Sequence, residues 1–238
     1  MIAFHHVRKT FGPVVALDGV SFEIRPGERV AFVGTNGSGK TTLLRALLGL
    51  VRIEGSIHVA GVDVAGEPEV ALRSIAYIPQ IAPPLDAPVG EVLRTHAAIR
   101  GTRVEETHAR GARLGLDVEA CQGKRFRELS GGTKQKLLAA MALASAAPVL
   151  VCDEPTANLD GRAREAFFAQ LAERGPDGVL ILCSHRADEV RKLVRRVIEL
   201  EGGRVRRDGE IEPSVESPDA WLETPSAVRN GRQLVRTS

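Results

Sequence analysis

Aromatic residues are scarce in this sequence, cysteines are few, and neither charge sign dominates. Each shortage excludes something. With aromatics at only 4% of 238 residues, an early Phe11 beside the Gly12-Pro13 turn is conspicuous. It is either a stacking platform or plain core, and burial is the commoner fate of such a ring. Cys121, Cys152 and Cys183 lack Cys-x-x-Cys spacing, which argues against a zinc site or a redox pair. Two of them sit in apolar, strand-like runs, so buried free thiols in a reducing cytoplasm are expected. A formal net charge of +2 gives no general attraction to nucleic acid, and none is expected as a partner. No apolar run reaches the roughly 18–20 residues of a membrane span. The nearest, residues 137–152, is broken by Ser145 and Pro148. The N-terminus lacks the charged-then-apolar layout of a secretory signal. Any membrane part is therefore expected from another chain. There is no internal repeat and no heptad pattern.

What is present is ordinary for a soluble globular chain, at 43% hydrophobic and 26% charged residues. The length suits one large domain, or a domain with a small subdomain. Residues 34–42 read Gly-Thr-Asn-Gly-Ser-Gly-Lys-Thr-Thr and fit G-x-x-x-x-G-K-[ST], with Gly34, Gly39, Lys40 and Thr41 at the fixed positions. The apolar run of residues 29–33 before it reads as a buried strand, and residues 42–49 after it read as a helix. Gly34, Gly37 and Gly39 permit backbone angles that let successive N–H groups curl around phosphate oxygens. Lys40 adds a point charge for the β- and γ-phosphates, the Thr41 hydroxyl can ligate Mg²⁺, and the helix start favours an anion.

Around this loop, residues 2–7 and 20–24 read as strands, and residues 55–64 as a further hairpin arm. Residues 75–80 form a strand ending at Gln80, a neutral oxygen ligand able to reach a metal or a water. Pro83, Pro84 and Pro88 exclude regular structure immediately after it. Apolar spacing then predicts helix from residue 89 to about 116, broken at Gly101, so that residues 81–128 form a helical insertion in an α/β domain. Ser130 is a plausible N-cap for a helix running to about residue 147, and Gly131-Gly132 offers a second dipole-positive start. Residues 149–154 are a buried strand delivering Asp153 and Glu154 to its C-terminal end, the edge where α/β folds bind ligands. Asp153 suits a Mg²⁺ shell and Glu154 the polarisation of a water. A helix is expected at 162–174, a strand at 179–183 with His185 just beyond it, and a strand–turn–strand around Gly202-Gly203. The pattern fades after about residue 207; residues 208–238, with Trp221, read as a peripheral tail.

Together these pieces resemble the ATP-binding-cassette (ABC) ATPase family over roughly residues 2–207. The 34–41 loop is like its Walker A, Gln80 like its Q-loop glutamine, and residues 129–135 like its signature. Residues 149–154 are similar to its Walker B with the catalytic glutamate, residues 157–160 to its D-loop, and His185 to its switch histidine. Phe11 then resembles the adenine-stacking aromatic. One departure is Thr133, where the signature usually has Gln. The resemblance implies an α/β fold: a P-loop NTPase core of ABC type, an N-terminal antiparallel β subdomain and an inserted α-helical subdomain, about residues 81–147. It implies ATP contacts from Phe11, Gly34, Asn36, Gly37, Ser38, Gly39, Lys40, Thr41, Thr42 and Gln80, with Mg²⁺ held by Thr41, Gln80 and Asp153. Lys40, Glu154 and His185 would carry the catalysis. Ser130, Gly131 and Gly132 would act on the ATP of a second copy in a head-to-tail homodimer. The expected role is to power an integral membrane permease subunit from the cytoplasmic, inner face of the cell membrane. The alternative is a soluble ABC ATPase in DNA repair or translation, but the coiled coils, zinc cysteines or second cassette usual there are missing. The short helical insertion looks more like exporter-type systems. Residues 81–128 are expected to dock a cytoplasmic helix of the permease, with Ile81 and Leu85 exposed for it.

Overall fold

A long hairpin begins the chain. In the computed structural model, which describes residues 1–211, β1 (Ile2–Phe11) and β2 (Val14–Ile24) run antiparallel across the Gly12-Pro13 turn. Alternation sends Phe4, Val20, Phe22 and Ile24 to one buried face. Phe4 and Phe22 meet at 4.3 Å between ring centroids, and Phe22 reaches Phe32 of β3 (Arg29–Val33) at 5.8 Å. Burying one such side chain contributes about 1.5–3 kcal/mol, so these three phenylalanines do much to join the hairpin to β3. After α1 (Lys40–Leu47) come β4 (Glu54–Val59), β5 (Val62–Asp63) and α2 (Pro68–Arg73). The sheet order β2-β1-β4-β5 is the expected N-terminal antiparallel sheet.

Two units divide the chain: Met1–Leu72 with the stretch from Val179 onward, and Arg73–Gly178. The second unit starts at β6 (Ile75–Ile78) and continues through α3 (Val89–Arg100), α4 (Val104–Arg113), α5 (Gly131–Ala144), β7 (Val149–Asp153) and α6 (Gly161–Ala172). β6 and β7 are parallel, with Ile78 opposite Cys152. Among the described residues no strand lies between them, in keeping with a helical insertion. Gly101 ends α3 with a φ of 63°, which only glycine adopts cheaply. Val89, Leu93, Phe126, Leu137 and Met141 belong to one apolar core cluster of this unit. Leu85 packs against that core. It is therefore half-buried rather than exposed as expected: the prolines stiffen the loop but do not hold Leu85 clear of the core. Ile81, by contrast, is 80% exposed. α5 ends three residues earlier than expected, where Pro148 approaches.

The first unit resumes with β8 (Val179–Cys183), α7 (Ala187–Leu193), β9 (Arg196–Glu201) and β10 (Arg204–Glu210). β3 lies between β8 and β9, parallel to both, and β10 returns antiparallel to β9. β8 is buried along its whole length, as a doubly covered parallel strand should be. β10 takes in residues 208–210, which sequence assigned to the tail. No apolar alternation marks them; Arg196 of β9 holds Asp208 through two 2.6 Å bonds and Glu28 through a third at 2.7 Å. The rest of the expected tail, with Trp221, lies outside the described residues. All three cysteines are buried and free.

Candidate active site

β3 delivers the chain into the 34–39 loop, and α1 begins at Lys40, two residues before the sequence pattern suggested. Gly34 and Gly39 are demanded by both space and backbone. A Cβ on Gly34 (φ 140°) would lie 2.2 Å from the Leu200 carbonyl oxygen, and one on Gly39 (φ 107°) 2.6 Å from that of Ala16. Lys40 folds back over the loop, its Nζ donating to the carbonyls of Gly34 (2.6 Å) and Thr35 (2.9 Å). α1 has no side-chain cap and no acid in its first turn, so its first N–H groups lack the usual side-chain acceptor. Ser38 is buried, and its Oγ has no hydrogen-bond partner. Asn36, Gly37 and Thr41 are exposed and Thr42 half-buried. An ammonium, an uncapped helix start and an orphaned buried hydroxyl, all in nine residues, favour an anionic oxygen-rich group.

Phe11 is not core. It stands 48% exposed at the end of β1, with Lys9 Nζ 4.9 Å from its ring centroid. This settles the choice that sequence left open about its burial.

His185 is exposed, two residues beyond the end of β8. Its neighbours on both sides are fastened to Glu189, which is fully buried. Ser184 Oγ donates to Glu189 at 3.0 Å, and Arg186 Nε pairs with it at 3.0 Å. Sequence reasoning missed Glu189. The available signal was a Ser followed five residues later by an acid in the first turn of a helix.

In the second unit, β6 and β7 end at one edge, because they are parallel with Ile78 opposite Cys152. Gln80 emerges there exposed, and Asp153 and Glu154 half-buried. Glu154 has a φ of 46°. That left-handed backbone is uncommon for a residue with a Cβ and tends to occur at functional sites. The strand thus delivers two adjacent carboxylates, and the chain bends at the second, Glu154.

Ser130 caps α5, its Oγ accepting from Thr133 N at 3.2 Å and lying 2.8 Å from Thr133 Oγ1. Gly131 and Gly132 form the first turn of α5. A Cβ on Gly132 would approach the Asn158 carbonyl to 3.0 Å, so the signature-like turn sits against residues 157–160. Lys136 pairs with Asp160 at 2.8 Å, and Asp160 caps α6 through Ala163 N. The Lys136 bond, then the Ala163 backbone bond, hold the Asp160 carboxyl at about 2.

A strand running into a glycine loop, with a lysine folded over it and an uncapped helix behind, defines a P-loop nucleotide-binding domain. Residues 17–157 match the profile of the family described as ABC transporter. The Nod factor export ATP-binding protein I of Burkholderia thailandensis is 34% identical over 224 residues, 91% of this chain and 73% of that protein. The methionine import ATP-binding protein MetN of Caulobacter vibrioides is 35% identical over 226 residues, 89% of this chain and 68% of that one. A solved ATP-binding subunit of an ABC transporter has a TM-score of 0.79 at 26% identity, covering 89% of this chain and 90% of its own. The chain belongs to the ABC transporter family, as an ATP-binding and ATP-hydrolysing subunit. Both relatives are named for transport, one outward and one inward, and neither for DNA repair or translation.

Proposed function

We propose that this chain works as one of two copies, meeting head to tail, that hydrolyse ATP to drive an integral membrane permease subunit. The observation that carries the reading is the 34–42 loop. Its N–H groups, Lys40 and the partnerless Ser38 hydroxyl suit the β- and γ-phosphates, with Asn36, Gly37 and Thr42 completing the contact. Phe11 offers its exposed ring to adenine.

Glu154 accepts a proton from the water that attacks the γ-phosphorus, as the bond to the β–γ bridging oxygen breaks and ADP leaves. Lys40 and His185 hold the γ-phosphoryl oxygens while negative charge builds there. Thr41, Gln80 and Asp153 are hard oxygen donors with a single carboxylate among them, a set that fits Mg²⁺ shared with phosphates better than a stand-alone metal site. Among the described residues no three His, Cys, Asp or Glu gather as one. When bound, the ion neutralises charge on the phosphates. Ser130, Gly131 and Gly132 are a second anion-favouring helix start, and we assign them to the ATP of the other copy.

No described helix is long and apolar enough to cross a membrane. The proposed working position is peripheral, on the cytoplasmic face of the membrane, with the exposed Ile81 beside Gln80 as part of the permease contact. Lys40→Ala tests the loop: Mg²⁺-dependent ATP hydrolysis should vanish and nucleotide binding weaken. Unchanged turnover would reject the assignment.

A further inference from the structure

We infer that Gln135 is a positioning residue that fixes Gln80 and Glu154 relative to each other. It rests on the proposed roles of those two residues. Gln135 is the fifth residue of α5 and only 1% exposed. A long amide in so dry a place must spend its hydrogens on protein acceptors. Its Nε2 donates to the carbonyl of Pro155 at 3.0 Å and, at 3.5 Å, to that of Pro79. Two carbonyl oxygens face the same end of the side chain, which assigns that end as the NH₂ group, the only part with two donors.

The positions of those carbonyls give the contact its meaning. Pro79 directly precedes Gln80, and Pro155 directly follows Glu154. Holding the Pro79 carbonyl fixes the peptide plane from which Gln80 departs. Holding the Pro155 carbonyl fixes the chain just past Glu154, whose left-handed backbone needs outside support to persist. The Pro79 carbonyl shares a planar peptide with Gln80 N, and the ring of Pro155 locks the φ between its carbonyl and Glu154, so little slack separates either restraint from its neighbour. One planar amide therefore sets the spacing between the proposed metal donor and the proposed base. It does so from the helix that Ser130 caps, so a displacement of α5 reaches both loops at once.

The test uses Gln135→Met, which keeps length and removes both donors, on the full chain. Without nucleotide or metal, amide hydrogen exchange across residues 79–82 and 154–158 should speed up about tenfold in both segments together, from the loss of buried hydrogen bonds. With Mg²⁺ and ATP, kcat should fall by about tenfold or more while KM and metal-free nucleotide affinity stay within about twofold, as for an interaction that matters in the transition state. Unchanged exchange in either segment, or an affinity loss as large as the kcat loss, overturns the inference. Gln135→Asn, one methylene too short to span both carbonyls, serves if the Met variant fails to fold, and should show the same pattern. Glu154→Gln and Gln80→Ala are run alongside. If they retain wild-type turnover, the assigned roles of those residues fail, while the exchange measurement still decides whether Gln135 holds the two loops.

Discussion

The Oγ of Ser130 lies 2.8 Å from the Oγ1 of Thr133, one turn along the helix that Ser130 caps. The same Ser130 oxygen accepts the Thr133 backbone N–H at 3.2 Å. Thr133 thus grips from two sides the hydroxyl proposed to meet the other copy's γ-phosphate. The usual Gln of the signature has a longer reach, whereas Thr engages Ser130 itself. Thr133→Val keeps the β-branched shape and the backbone cap but removes the second grip. Losing one such bond, about 1 kcal/mol, corresponds to roughly fivefold in rate. Steady-state turnover of the variant should fall by that amount, with nucleotide affinity of the dilute monomer unchanged. A loss of monomer affinity would contradict the across-dimer role.

Acid should loosen the helical unit through Glu173. Arg113 and Arg110 both bond its carboxylate, and the Arg113 bond is the larger cause of its fall from 4.5 to about 2. A depressed carboxylate stabilises the fold above its unfolded value, and that contribution is lost as pH falls through the folded one. The gap in urea midpoint between wild type and Glu173→Gln should be present at pH 6 and close between pH 4.5 and pH 2. Because the group is exposed, high salt should narrow it at every pH. A gap independent of pH would mean the ion pairs contribute nothing.

Ile81 and Leu85 should now behave differently, although sequence treated them alike. Ile81→Asp leaves the chain stable and its isolated ATPase activity intact, but should prevent co-purification of the permease subunit. Leu85→Asp places a charge against the core around Phe126 and Met141 and should lower the thermal midpoint by several degrees, equivalent to about 1–3 kcal/mol. Equal effects on co-purification, without any change in stability, would contradict the separation.

What sequence revealed about this fold was whatever is written in consecutive residues. The 34–42 loop was legible because its glycines, lysine and flanking strand and helix lie within about twenty residues of each other. Asp153 and Glu154 were legible because an apolar run ends on them. Gln135 and Glu189 were not, because each looks like an ordinary polar helix residue until distant chain segments close over it. Phe11 fell on the other side of the same limit: nothing local says whether a ring beside a turn is covered. The strand after Gly202-Gly203 was expected, but the last three residues of β10 escaped, because ion pairs such as Arg196–Asp208, rather than apolar alternation, hold them.

The proposed hydrolysis turns on Glu154, and replacing it by Gln is the most direct measurement. An amide cannot take the attacking water's proton, whereas the phosphate contacts of the 34–42 loop are untouched. In ATP and Mg²⁺ the Glu154→Gln protein should bind nucleotide, show no turnover, and elute from size-exclusion chromatography as a dimer retaining ATP. Turnover at the wild-type rate, with the protein eluting only as a monomer, would contradict Glu154 as the base.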